Sequence, residues 1–128
     1  MVLMEFIEAP AFSRHISDYL ADEDYRELQY QLAINPGLGD LMPGTGGFRK
    51  IRWRDPRRGK GRRGGLRIIY YYFLADQQIW LMTVYDKAEA SDLTAKQKKA
   101  LRNALDAELQ ARRIAQIARG KRLRRKRS

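Results

Sequence analysis

Residues 44–72 read GTGGFRKIRWRDPRRGKGRRGGLRIIYYY, and from Arg49 to Arg67 this stretch holds ten Lys or Arg against one acid, Asp55. Such a density of like charge is costly unless a polyanion neutralises it. Two strand-like runs, Phe48 to Arg54 and Leu66 to Leu74, flank the basic loop, so its ends are held on a sheet. The two-residue period of a strand puts Phe48, Lys50, Arg52 and Arg54 on one face of the first run and Arg49, Ile51 and Trp53 on the other. In the second run it separates Arg67, Ile69, Tyr71 and Phe73 from Leu66, Ile68, Tyr70 and Tyr72. Both faces of that run are mostly apolar, which marks a central strand.

Outward from this stretch, the chain reads as strand, two helices, three strands and a helix. Val2 to Glu8 alternates as a buried strand. Pro10 suits a first helical turn, with Phe12, Ile16, Tyr19 and Leu20 forming one apolar stripe. Asp22 is expected to cap a second helix striped by Tyr25, Leu28, Leu32 and Ala33, which Asn35-Pro36-Gly37 ends. A Gly- and Pro-rich loop follows from Gly37 to Gly47, its GTGG expected to be flexible. Past the basic stretch, Asp76-Gln77-Gln78 turns the chain into a last strand, Ile79 to Tyr85. Thr94 and Gln97 form a capping box ahead of a helix striped by Leu101, Leu105 and Leu109, and Gly120 is its expected stop. The predicted fold class is α+β: a helical hairpin packed on a small, twisted antiparallel sheet, with a C-terminal helix.

The 128 residues suit one domain, residues 1–111, with a basic extension, 112–128, helical at first and disordered beyond Gly120. That extension carries nine bases and no acid, whereas residues 1–48 carry eight acids and two bases. This polarity points to phosphate-bearing partners. There is no cysteine, which removes disulfides, thiol nucleophiles and thiolate metal sites. No apolar run approaches the roughly 20 residues of a membrane span, and MVLMEFIEAP lacks the basic flank and apolar core of a signal peptide. A soluble, cytoplasmic protein is expected, with no membrane partner.

The one histidine, His15, lies on the first helix, far in sequence from the basic strands, and a helix-flank residue is the expected reading. Asp86, Glu89 and Asp92 recur at intervals of three and invite a Mg2+ reading, but they fit better as acids ahead of a helix N-terminus. GTGG and GKGRRGG do not match a phosphate loop. No metal and no small-molecule cofactor is expected. The sharper set is Lys50, Arg52, Arg67 and Lys87, which neighbouring strands can bring together. RNA cleavage by its own 2'-hydroxyl needs a base, positive charge on the pentavalent phosphate and a proton for the leaving oxygen. Lysine and arginine can supply these functions. Arg49, Arg54, Arg57, Arg58, Lys60, Arg62, Arg63 and Tyr85 are candidate RNA contacts. Tyr70, Tyr71 and Tyr72 fit core packing better than base stacking. On composition alone, binding without cleavage is an equal reading.

GTGGFRKIRW, the Gly/Arg/Lys loop, RGGLRIIYYYF, IWLMTVYDKAEASDLT and KQKKALRNAL, in that order, resemble the RelE superfamily of toxins of bacterial type II toxin–antitoxin systems, in particular its HigB-like branch. The resemblance covers roughly residues 3–111. It implies a helical hairpin on a twisted antiparallel sheet and a ribosome-dependent mRNA endoribonuclease, or mRNA interferase, that uses no metal and inhibits translation. It also implies a cognate antitoxin, expected to be a helix-turn-helix protein, and contact with mRNA and ribosomal RNA. Lys50 and Arg52 match the family's basic pair, one of which looks like the general base; Arg67 matches the arginine that stabilises the phosphorane; Lys87 stands where the family has a basic residue. Ala88 replaces a further arginine of some members, and their C-terminal tyrosine has no counterpart, which leaves Lys87 and Tyr85 as candidate acids. Rival readings are a non-enzymatic ribosome or RNA binder on the same fold, a ParE-like gyrase inhibitor, and KRLRRKRS as a nuclear-import signal.

Overall fold

The structure, a computed structural model, describes residues 3–58, 65–90 and 92–127. The elements are β1 (Glu5–Glu8), α1 (Pro10–Tyr19), α2 (Asp22–Ile34), β2 (Asp40–Leu41), β3 (Arg49–Trp53), a 3-10 turn (Pro56–Arg58), β4 (Leu66–Phe73), β5 (Gln78–Asp86) and α3 (Ala95–Arg127). The sheet order is β1-β5-β4-β3-β2, so β4 is central as its two apolar faces require. One face of β4, with Leu66, Ile68 and Tyr70, packs with Phe12, Ile16, Leu20, Leu28 and Leu32 of the helical hairpin. The other, with Ile69 and Phe73, packs with Met42, Phe48, Leu101 and Leu105 under the start of α3. Tyr70 is wholly buried and Tyr71 packs against Phe48 and Phe73, so these rings are core.

The β4–β5 register slips between Ile69 and Tyr70: Ile69 faces Thr83 but Tyr70 faces Leu81, leaving Met82 as an extra residue on β5. The slip keeps Ile68, Tyr70, Leu81 and Val84 on the hairpin side despite the additional residue. At the opposite edge, the Tyr70 hydroxyl accepts the Gly39 N–H at 2.9 Å and donates to the Pro36 carbonyl at 2.7 Å, docking the loop after α2 on the sheet. Gly39 is required there, because a Cβ would stand 3.0 Å from the Lys50 carbonyl and from the Tyr70 ring.

Several sequence expectations are corrected. The sheet is mixed, because β1 runs parallel to β5 while the other pairings are antiparallel. A strand followed by a helical hairpin makes the long crossover that a parallel neighbour requires. Of the expected strand from Val2 to Glu8 only Glu5–Glu8 pairs, and Val2 lies outside the described residues. Asp22 does not cap α2; Ala21 is the cap residue, and Asp22, Glu23 and Asp24 fill the first turn, where carboxylates meet the positive end of the helix. GTGG is an ordered turn: Thr45 is wholly buried, its hydroxyl donating to the Met42 carbonyl at 2.8 Å and accepting the Phe48 N–H at 3.1 Å. Gly47 has φ +127°, and a Cβ there would meet the Tyr71 ring at 3.0 Å. Gly120 does not stop α3, which continues to Arg127. A helical glycine costs only about 1 kcal/mol relative to alanine, less than the flanking turns of helix supply. The capping box does form, Thr94 and Gln97 each accepting the other's backbone N–H at 3.1 and 2.8 Å.

A buried ion cluster closes the end of the sheet where β3 and β5 finish. Asp55 is wholly buried and Asp86 nearly so, and the Arg57 guanidinium reaches both, at 2.9 Å and 3.2 Å, while lying over the Tyr19 ring. Removing the guanidinium takes a charge partner from two buried carboxylates at once. Arg57→Ala is expected to lower stability by about 2–4 kcal/mol, read as the shift of the urea unfolding midpoint at constant slope. An unchanged midpoint would remove the cluster from the account of this end of the fold.

Candidate functional site

The antiparallel registers of β3, β4 and β5 bring together residues that are distant in sequence. Arg52 stands opposite Arg67, and Arg67 opposite Tyr85, so the three form one row across the sheet. Lys50 stands one step away, opposite Ile69. By alternation all four share the α3 side of the sheet, since Phe48, Ile69, Phe73 and Tyr85 belong to the cluster there. Arg52 is exposed, Lys50 half-buried, and Arg67 buried with Nη1 donating to the Leu66 carbonyl at 3.3 Å. Two like charges directly opposed on a sheet repel each other, an arrangement that an anion between them would relieve.

Tyr85 is buried, and among the described residues its hydroxyl has no hydrogen-bond partner. Burial, then the Asp92 carboxylate, push the phenol above its ordinary value, and Arg67 pulls against them. Tyr85 is therefore protonated at neutral pH, across from Arg67 in the row.

Asp92, read from the sequence only as an acid ahead of a helix N-terminus, lies against the basic strands. Its carboxylate meets Lys50 Nζ at 3.4 Å and Lys98 Nζ at 3.8 Å. The Leu93 N–H, offset in part by desolvation and helped by Lys50 and Lys98, holds it below the usual carboxylate range. Lys50, Arg52, Asp92 and Lys98 line one cleft whose rim is Asp40 to Pro43. An acid just before a capping box reads as a helix-dipole residue, and nothing in its spacing says that it lies against β3.

The other predicted residues distribute differently. Lys87 follows β5 in a turn, exposed, its backbone N–H bonded to the Gly65 carbonyl at 2.8 Å. Arg49 is turned to the loop after α2, donating to the Gly39 carbonyl at 2.7 Å and the Gly37 carbonyl at 3.3 Å. Arg54 lies beyond the end of β3 and lines a shallow cleft with Asp24, Glu27 and Trp53. Arg57 is committed to Asp55 and Asp86, so it is not part of the row. Lys60, Arg62, Arg63 and the side chain of Arg58 lie outside the described residues. His15 is exposed on α1, 3.8 Å from Asp18. The three acids considered for Mg2+ do not converge: Asp86 binds Arg57 and the Ala88 N–H, Glu89 accepts from the Tyr19 hydroxyl, and Asp92 meets Lys50.

With this geometry in place, comparison with known proteins locates the fold. No family model matches the chain. A free-state structure of E. coli toxin RelE carrying two arginine-to-alanine substitutions superposes with a TM-score of 0.52 at 12% identity, covering 79% of this chain and 98% of that one. The isolated E. coli RelE toxin gives 0.47 at 13% identity, covering 80% and 99%. The E. coli RelBE toxin–antitoxin complex gives 0.47 at 14% identity, covering 66% and 96%. The chain has a RelE-like α+β fold. Among the described residues no helix is long and apolar enough to cross a membrane.

The electrostatics of the row are directly measurable. In a tyrosine-ring NMR titration, Tyr85 is expected to ionise above the ordinary phenol value of about 10. Asp92→Asn should bring it down by removing an anion, and Arg67→Ala should raise it further by removing a cation. Ionisation at or below the ordinary value would contradict the placement of Tyr85.

Proposed function

We propose that this chain is the toxin of a bacterial toxin–antitoxin pair and acts as a ribosome-dependent mRNA endoribonuclease that cleaves through the RNA 2'-hydroxyl without a metal. The observation that carries the reading is the cross-strand row Arg52–Arg67–Tyr85 with Lys50 beside it, on a RelE-like fold. The sequence motifs support the same assignment for Lys50, Arg52 and Arg67, which match basic positions of the RelE resemblance, whereas Tyr85 is one of two candidate acids. Cognate partners in this reading are mRNA, ribosomal RNA and a helix-turn-helix antitoxin, and the setting is the cytoplasm.

The chemistry divides by what each group can do. Arginine does not release its proton under these conditions, so Lys50 is the member of the basic pair able to take the 2'-hydroxyl proton once its ammonium is deprotonated. The freed 2'-oxygen attacks phosphorus, the bond to the 5'-oxygen breaks, and a 2',3'-cyclic phosphate and a 5'-hydroxyl result. Arg67 and Arg52 bear the charge that grows on the phosphate oxygens, with the forked geometry suited to two of them. Tyr85 supplies the proton to the 5'-oxygen, a role open to it because its phenol is protonated at neutral pH and its hydroxyl has no hydrogen-bond partner among the described residues. Lys87 adds positive charge past the end of β5, and Arg58, Lys60, Arg62 and Arg63 are proposed as RNA-backbone contacts on their charge alone.

Single-turnover cleavage of ribosome-bound mRNA in the presence of EDTA tests this. Arg67→Ala is expected to lower the rate about 10²–10³-fold while ribosome affinity is largely kept, and Tyr85→Phe to lower it about 10²-fold. Undiminished cutting by Arg67→Ala would overturn the site, and intact mRNA with saturating wild-type protein would leave a non-enzymatic binder.

A further inference from the structure

The long C-terminal helix is held by Leu101, Leu105 and Leu109 in the core and then by Arg112, and as far as Arg119 it still borders a cleft with Ile7 and Gln78. Arg112 lies over the Phe73 ring at 3.7 Å, pairs with Asp76 in the β4–β5 turn at 2.7 Å and with Glu108 one turn back at 3.0 Å. Glu108 is the last acid in the chain. The helix nevertheless continues to Arg127, exposed through nearly all of residues 113–126. At 1.5 Å per residue that projecting part is about 22 Å long. It is more than a solubilising surface requires, because it stacks like charges on one another with no interspersed acid.

The arrangement of the charges selects the partner. At about 100° per residue, Arg113, Arg119, Lys121, Arg122, Arg124 and Lys126 are directed to all sides of the helix. Ile114 and Ile117 lie on one flank, and Leu123, also exposed, lies nearly opposite, so there is no apolar face. A helix that lies on a membrane needs such a face, as does one that docks in a protein groove. An all-round cationic rod fits instead where phosphates surround it, as in the groove of a folded nucleic acid.

We infer that residues 113–127 form a second RNA-binding element that enters a groove of double-helical RNA, separate from the row on the sheet. The choice of RNA over DNA rests on the ribosome-directed function proposed above. The element adds affinity and residence on structured RNA without touching the bond that is cut.

The test uses the full-length chain and a labelled RNA hairpin with a base-paired stem, with binding followed by anisotropy from about 50 to about 200 mM salt. Replacing Arg119, Lys121, Arg122, Arg124 and Lys126 by Gln is expected to weaken stem binding at least about tenfold and to flatten the log–log salt dependence by about 3–4. Circular dichroism is expected to show the same helix content, since Gln is a good helix former. A variant that exchanges Lys for Arg and Arg for Lys at these positions should bind as wild type does. Stem binding is read without any cleavage step, so failure of the cleavage reading and failure of this one give different results. Unchanged affinity and salt slope in the Gln variant would overturn the inference. So would tighter binding to a DNA duplex of the same sequence, to anionic phospholipid vesicles or to an acidic peptide than to the RNA stem.

Discussion

Two arginines stand directly across from each other on neighbouring strands, and much of the structure follows from keeping them there. Arg52 and Arg67 repel, and strands that carried them alone would gain by sliding or fraying. The end of the sheet is instead closed by Arg57, whose guanidinium joins Asp55, just past β3, to Asp86, the last residue of β5. Behind the pair, Ile51, Leu66, Ile68 and Val84 belong to a core that a one-residue slip would turn onto the opposite face of the sheet. The two guanidinium-bearing residues are thereby held on adjacent strands in the folded state.

The other cations divide by what their neighbours leave them to do. Arg49 is spent on loop carbonyls, Arg57 on buried carboxylates and Arg112 on Asp76, Glu108 and the Phe73 ring. These are charges with structural employment. Lys50 is intermediate, because Asp92 holds it at 3.4 Å while sharing its other oxygen with Lys98.

The central strand was legible because burial on both faces leaves a near-continuous apolar run, and because alternation in FRKIRW separates Lys50 and Arg52 from Ile51 and Trp53. Both face assignments agree with the two core clusters. Thr94 and Gln97 were legible since a capping box is wholly local. The rest depended on contacts that sequence spacing does not encode. β2 is two residues long and exists only by pairing with Arg49 and Lys50. The parallel placement of β1 is a matter of topology. Arg57 reads as one more cation in a basic loop until Asp86, far along the chain, is brought beside it. Asp92 is hidden in the same way. The continuation of α3 past Gly120 shows a local stop signal losing to the helix on either side of it, with no left-handed residue there to end the helix.

The central claim is that a metal-free row of basic side chains and a tyrosine directs the 2'-hydroxyl of mRNA against its own phosphate. The most direct measurement is the chemistry of the RNA ends produced on ribosomes in EDTA. The account predicts a 2',3'-cyclic phosphate on the upstream fragment and a 5'-hydroxyl on the downstream one, both absent with Arg67→Ala. A 5'-phosphate on the downstream fragment, or cutting that EDTA abolishes, would contradict it.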